Sequence, residues 1–102
     1  DFYIKDGTKN LVASLKTTKS SPSEWLNYNK KHLQELADLE RLKKITDAGR
    51  TIDADEVWLF IAVPKEKLSE WSNFVLTPQN TGIANIGKIK VEVFSMDKAL
   101  NL

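Results

Sequence analysis

The chain reads as an α/β domain: a mixed β-sheet, built from a hairpin, a crossover strand and an edge strand, with helices flanking it. Three observations predict this. An Asp6-Gly7 pair separates two short stretches rich in aromatic and β-branched residues, the pattern of a hairpin. Val57–Val63 is apolar at every position, as in a strand covered on both faces. Helical periodicity precedes and follows that run, so the order is strand, strand, long helix, buried strand, helix, strand, which implies a crossover on a mixed sheet.

Asp1–Ile4 and Leu11–Thr17 form the hairpin. With Asp6-Gly7 as the two-residue turn, Lys5 faces Thr8, Phe2 faces Leu11 and Asp1 faces Val12. Alternation then places Phe2, Ile4, Leu11, Ala13 and Leu15 on one side and Asp1, Tyr3, Val12, Ser14 and Lys16 on the other. Ser21-Pro22 followed by Glu24 is a helix start: a hydroxyl N-cap, a proline in the first turn and an early acid. The helical pattern runs to about Ala48-Gly49, with Gly49 as the stop and a bend or split near His32, where the apolar stripe drifts. Pro64 ends the buried strand; Lys65–Val75 reads as a short helix, Thr77–Gly87 as loop, and Lys88–Phe94 as a half-exposed edge strand in which Ile89, Val91 and Val93 alternate with charges.

The 102 residues are one domain's worth of chain, 41% apolar, 28% charged and without cysteine. A net charge of +1 excludes a polybasic nucleic-acid coat, and three Trp, two Tyr and four Phe exclude a disordered tail. The lack of cysteine excludes a disulfide scaffold, a thiolate zinc site and a cysteine nucleophile. No run approaches the roughly 20 apolar residues that span a bilayer, so no stable membrane insertion is expected of this domain. The chain begins at Asp1 within a strand-like segment, which reads as the C-terminal fragment of a larger chain, with residues 1–102 forming a single domain. Charge is uneven: residues 1–50 carry ten Lys/Arg against seven Asp/Glu, and Lys16–Lys31 holds four lysines and one acid, an excess that attracts phosphate.

Asp1, Ser14 and Lys16 share the less apolar face of the hairpin. Ser14 and Lys16 are two apart and point the same way, and the expected register sets Asp1 diagonal to Ser14, roughly 7–8 Å between Cα atoms. A divalent cation can bridge a carboxylate and a nearby oxygen at that spacing, while an adjacent ammonium orients water or stabilises charge on a phosphate.

An acid, a hairpin turn, and then a strand carrying x-x-Lys before a long helix resembles the PD-(D/E)xK nuclease superfamily, over about residues 1–63. Asp1 matches the first acid and Ser14-Leu15-Lys16 the second motif, with Ser14 departing from the usual Asp or Glu. A neutral hydroxyl is a weaker ligand for Mg²⁺. The Ser-x-Lys form resembles the tRNA-cleaving C-terminal toxin domains of bacterial contact-dependent growth inhibition systems. The resemblance implies a PD-(D/E)xK-like core lacking its N-terminal part, and a metal-dependent endonuclease acting on tRNA. It implies Asp1, Ser14 and Lys16 as catalytic residues, and Mg²⁺ or Mn²⁺, with Zn²⁺ as a further option, held by Asp1 and the Leu15 carbonyl. It also implies a cognate immunity protein, and a larger secreted or cell-surface protein whose toxin acts in the target-cell cytoplasm.

Lys19, Trp25, Lys30 and Lys31 are candidate substrate contacts, since aromatics beside lysines stack on unpaired bases. His32, the only histidine, reads as a helix-surface residue. Asp53, Asp55 and Glu56 read as the solvated start of the buried strand. Two other functions fit the same residues: a restriction-type DNA endonuclease of the same fold, and a non-catalytic protein-binding module.

Overall fold

The computed structural model describes residues 2–97, with the side chains of 2–4 and 47 outside the description. Strands β1 (Phe2–Asp6) and β2 (Lys9–Thr17) pair antiparallel, with Phe2 opposite Ala13 and Asp6 opposite Lys9. The turn is thus Gly7-Thr8 rather than Asp6-Gly7. Gly7 alone carries a positive φ, +61°, so the one left-handed position falls on the residue with no Cβ, and Asp6 is spared it. The pairing is shifted by two residues from the expected register. Two is the period of a strand, so the side chains of β2 keep their expected faces.

Ser21 caps α1 (Pro22–Tyr28), its Oγ accepting from the Glu24 amide at 3.4 Å. The chain breaks at Asn29, whose side-chain amide donates to the Trp25 carbonyl at 2.8 Å, and resumes as α2 (Lys30–Leu42). The expected extension of this helix to Ala48-Gly49 is wrong. Lys43 turns left-handed at φ +57°, and the chain forms a separate hairpin of β3 (Lys44–Asp47) and β4 (Arg50–Asp53). Ala48 and Gly49 both have positive φ, the requirement of the tight turn that matches strand twist. Gly49 is therefore a hairpin residue and not a helix stop.

β5 (Glu56–Val63) lies at the centre of a four-stranded sheet ordered β1-β2-β5-β6, parallel to both β2 and β6 (Lys90–Ser95), with β6 at the edge as expected. There are thus two parallel connections rather than one. The second begins with a 3₁₀ turn at Lys65–Lys67 and α3 (Leu68–Trp71), shorter than the expected helix. Ser72 Oγ donates to the Ser69 carbonyl at 2.9 Å, diverting it from the helical ladder. The segment expected to be loop holds α4 (Pro78–Thr81), closed by a Thr77–Asn80 capping box.

The helices pack on one face of the sheet. There Val57, Leu59, Ile61 and Val63 meet Leu33, Leu36 and Ala37 of α2 together with Trp25, Trp71, Ile83 and Ile86. β5 is therefore central, as expected, but helix-packed on a single face. Its other face carries half-buried Trp58 and Phe60, stacked at 5.6 Å, beside Phe94 and a half-exposed Leu15. Among the described residues no helix is long and apolar enough to cross a membrane.

Candidate active site

The ladder between β2 and β5 sets Val12 beside Val57, Ser14 beside Leu59 and Lys16 beside Ile61. Those β5 residues belong to the core, so Ser14 and Lys16 stand on the helix-covered face, at its flank next to β1. The face richer in apolar residues on β2, that of Leu11, Ala13 and Leu15, points the other way. Ser14 is 1% exposed, while Lys16 is half-buried.

A buried hydroxyl requires a partner, and α2 supplies it. His32 lies on the first turn of that helix, at the margin of the stripe formed by Leu33, Leu36 and Ala37. Its ring reaches the sheet, with Nε2 2.8 Å from Ser14 Oγ. Nδ1, the other ring nitrogen, lies 3.8 Å from Glu35 Oε2, one turn along; the His32 side chain is 15% exposed and that of Glu35 59%. Burial holds the imidazole below its usual pKa of 6.5; the Lys16 ammonium pushes the same way, and Glu35 opposes both. The ring is accordingly neutral at neutral pH. His32 is not the surface residue its sequence context suggests. The legible signal was its position four residues before Leu36, on the border of an apolar stripe, where a polar group looks toward the sheet margin.

The other expected site residues are dispersed. Asp1 lies outside the described residues. Leu15 turns its side chain to the opposite face, 49% exposed, leaving only its carbonyl for the expected role. Trp25 is not a stacking platform: it is 3% exposed and packs edge-on against Trp71 and Phe74, each at 6.0 Å between ring centroids. The exposed aromatic next to the lysines is Tyr28. Lys19, Lys30 and Lys31 are exposed; Lys30 and Lys31 open α2 immediately before His32. Two cations at the positive end of a helix dipole oppose helix stability and favour an incoming anion.

The acidic cluster is structural. Asp55 Oδ2 accepts from the Asn10 amide at 2.7 Å, Glu56 pairs with Lys9 and Lys90 at 3.7 and 3.5 Å, and Asp53 lies 3.8 Å from Lys44. Among the described residues no three of His, Cys, Asp and Glu are grouped to hold a metal ion. At the site itself the donors are one hydroxyl already bonded to an imidazole, with an ammonium beside them. The Glu35 carboxylate is the one acid near them among these described residues. What the site offers is a neutral ring that can accept a proton and a cation that can stabilise developing negative charge. Comparison with protein-family models, with curated proteins and with solved structures finds no match to this chain.

Proposed function

We propose that this domain is a phosphodiester-cleaving nuclease acting on RNA, with tRNA as the substrate class and Lys16 and its neighbours as the reacting centre. The observation that carries the reading is the convergence of Lys16, Ser14 and His32 at one flank of the sheet, with Lys30 and Lys31 leading into it. A lysine near the end of β2 on the helix-covered face and a part-buried Ser14–His32 pair beside it match what phosphate chemistry needs. Lys16 stabilises charge on the phosphate, the exposed lysines gather the strand, and Tyr28 stacks on an unpaired base.

The resemblance to growth-inhibition toxin domains extends the proposal. The domain would enter a neighbouring cell as part of a larger secreted or surface-displayed protein. A cognate immunity protein would restrain it in the producing cell by covering the basic Lys16–Lys31 side. In a divalent-metal route Asp1 would supply the carboxylate.

The test incubates purified domain with tRNA and with plasmid, each with and without EDTA. Cleavage of tRNA alone supports the proposal, and the EDTA arm reports whether a metal takes part. Cleavage of plasmid in preference to tRNA would move the assignment to a DNA endonuclease. Inertness toward both, with the fold intact, would leave a protein-binding module.

A further inference from the structure

We infer that His32, anchored through Nε2 by Ser14, is the group that takes the proton of the attacking nucleophile, and that this nucleophile is the 2′-hydroxyl of the RNA itself. The inference rests on the nuclease reading and names how the site would work.

The first ground is the division of labour between Ser14 and His32. At 1% exposure the Ser14 hydroxyl cannot reach a substrate; what it touches is Nε2 of His32 at 2.8 Å. Ser14 is thus a positioning residue. With Oγ accepting from Nε2–H, the lone pair sits on Nδ1, the ring atom on the Glu35 side. A serine hydroxyl can serve as donor or acceptor, so this tautomer is available without moving a heavy atom.

The second ground is the carboxylate near Nδ1. Glu35 Oε2 lies 3.8 Å away on an exposed side chain. Once Nδ1 takes a proton, that carboxylate can close on the new N–H and stabilise the imidazolium. Before uptake, burial and the Lys16 charge favour the neutral, proton-accepting ring. Burial and Lys16 thus keep the resting ring neutral, and Glu35 eases the protonated form, as a base in use requires.

The third ground is the choice of nucleophile. A neutral imidazole with an ammonium beside it suffices for intramolecular attack in RNA. The 2′-oxygen forms a bond to phosphorus as its proton passes to Nδ1, and the bond from phosphorus to the 5′-oxygen breaks. The departing oxygen takes a proton from water, and Lys16 faces the charge that builds on the phosphoryl oxygens. The products are a 2′,3′-cyclic phosphate and a 5′-hydroxyl, and His32 returns its proton to solvent. No co-reactant is needed, and DNA, which lacks the 2′-hydroxyl, is not a substrate.

The experiment uses the whole chain, a tRNA transcript and the same transcript with 2′-deoxy substitution at the mapped cleavage position. The expected result is cyclic-phosphate and 5′-hydroxyl ends, no cleavage of the deoxy substrate, and persistence of activity in EDTA. His32→Gln should lose about 10²–10⁴-fold in rate, the usual contribution of a general base. His32→Ala should regain activity when imidazole is added, a rescue that a merely structural role would not give. Ser14→Ala should retain the base but lose its placement, with a smaller loss in rate and little change in KM. Ends bearing 5′-phosphate, or cleavage of the deoxy substrate, would overturn the inference and leave the nuclease proposal standing. A wild-type protein inert on all RNA would overturn the proposal itself. Thermal unfolding of each variant separates loss of chemistry from loss of fold.

Discussion

Replacing Lys16 with methionine removes one ammonium from the helix-covered face and keeps most of the stem's apolar length. Lys16 is half-buried beside Ile61, so its methylenes contribute packing that methionine largely retains. The stability change should stay within about 1 kcal/mol, a Tm shift of no more than roughly 4–8 °C for a domain near 100 residues. The electrostatic effect is larger and has a definite sign. Lys16 is one of the groups holding the His32 imidazolium unfavourable, so its removal must raise the His32 pKa toward 6.5. The chain has a single histidine, so its ring protons can be followed by NMR across a pH series without an assignment problem. Cleavage of tRNA should fall by about 100-fold or more if the ammonium stabilises charge in the transition state. Unchanged cleavage together with an unmoved His32 titration would refute the reasoning, returning Lys16 to an ordinary strand-end lysine.

Three further outcomes follow from the packing and the titration. Leu36→Ala empties a fully buried position in the core between α2 and β5 and should lower unfolding stability by about 2–5 kcal/mol in a denaturant titration. Ala48→Asn places a residue that tolerates left-handed backbone at φ +51°, ahead of Gly49; it should raise stability by several tenths of a kcal/mol up to about 1, read as a higher midpoint with unchanged slope. In wild type the folded His32 pKa lies below 6.5, so the unfolded chain binds more protons between those two values. The contribution of His32 is therefore full above about pH 6.5 and is lost as pH falls toward the folded value; the stability advantage of wild type over His32→Gln should shrink on acidification.

The parts of the fold written in local patterns were legible. The hairpin's faces, the Ser21-Pro22 helix start, the central position of β5 and the edge position of β6 all follow from period-two alternation, capping chemistry and hydrophobic runs. The β3–β4 hairpin was not legible, because Gly49 serves equally as a helix stop and as a turn residue. The distinction lay in the β-branched pairs Ile45–Ile52 and Thr46–Thr51 flanking it. The covered face of the sheet also escaped reading from β2 alone. On that strand Leu11, Ala13 and Leu15 look like the core side, yet the helices follow the larger apolar surface of β5 and carry Ser14 and Lys16 under them. His32 was missed for a related reason: its place at the border of the α2 stripe marks it as facing the sheet margin, but the partner it meets there, Ser14, lies eighteen residues away in sequence.

Position 14 is where the two chemical routes for this site diverge, and Ser14→Asp separates them. The resemblance to nucleases expects an acid there, to complete a metal shell. The structure places Oγ at 1% exposure against an imidazole nitrogen, where an ionised carboxylate loses most of its hydration. Left unpaired it would cost several kcal/mol; it is tolerable only if His32 becomes cationic beside it. The folded His32 pKa then rises above 6.5, the reverse of the wild-type shift. The sign of the stability profile reverses with it: the variant is most stable below about pH 6.5 and loses stability as pH rises through the new folded value. A protonated His32 cannot act as a base at neutral pH, so cleavage of RNA should collapse unless the metal route operates. If that route is the true one, the new carboxylate strengthens it, and activity that is abolished by EDTA should rise above wild type. Measured together, the unfolding midpoint from pH 5 to 8 and the EDTA sensitivity of tRNA cleavage decide whether Ser14 anchors a base or stands in for a metal ligand.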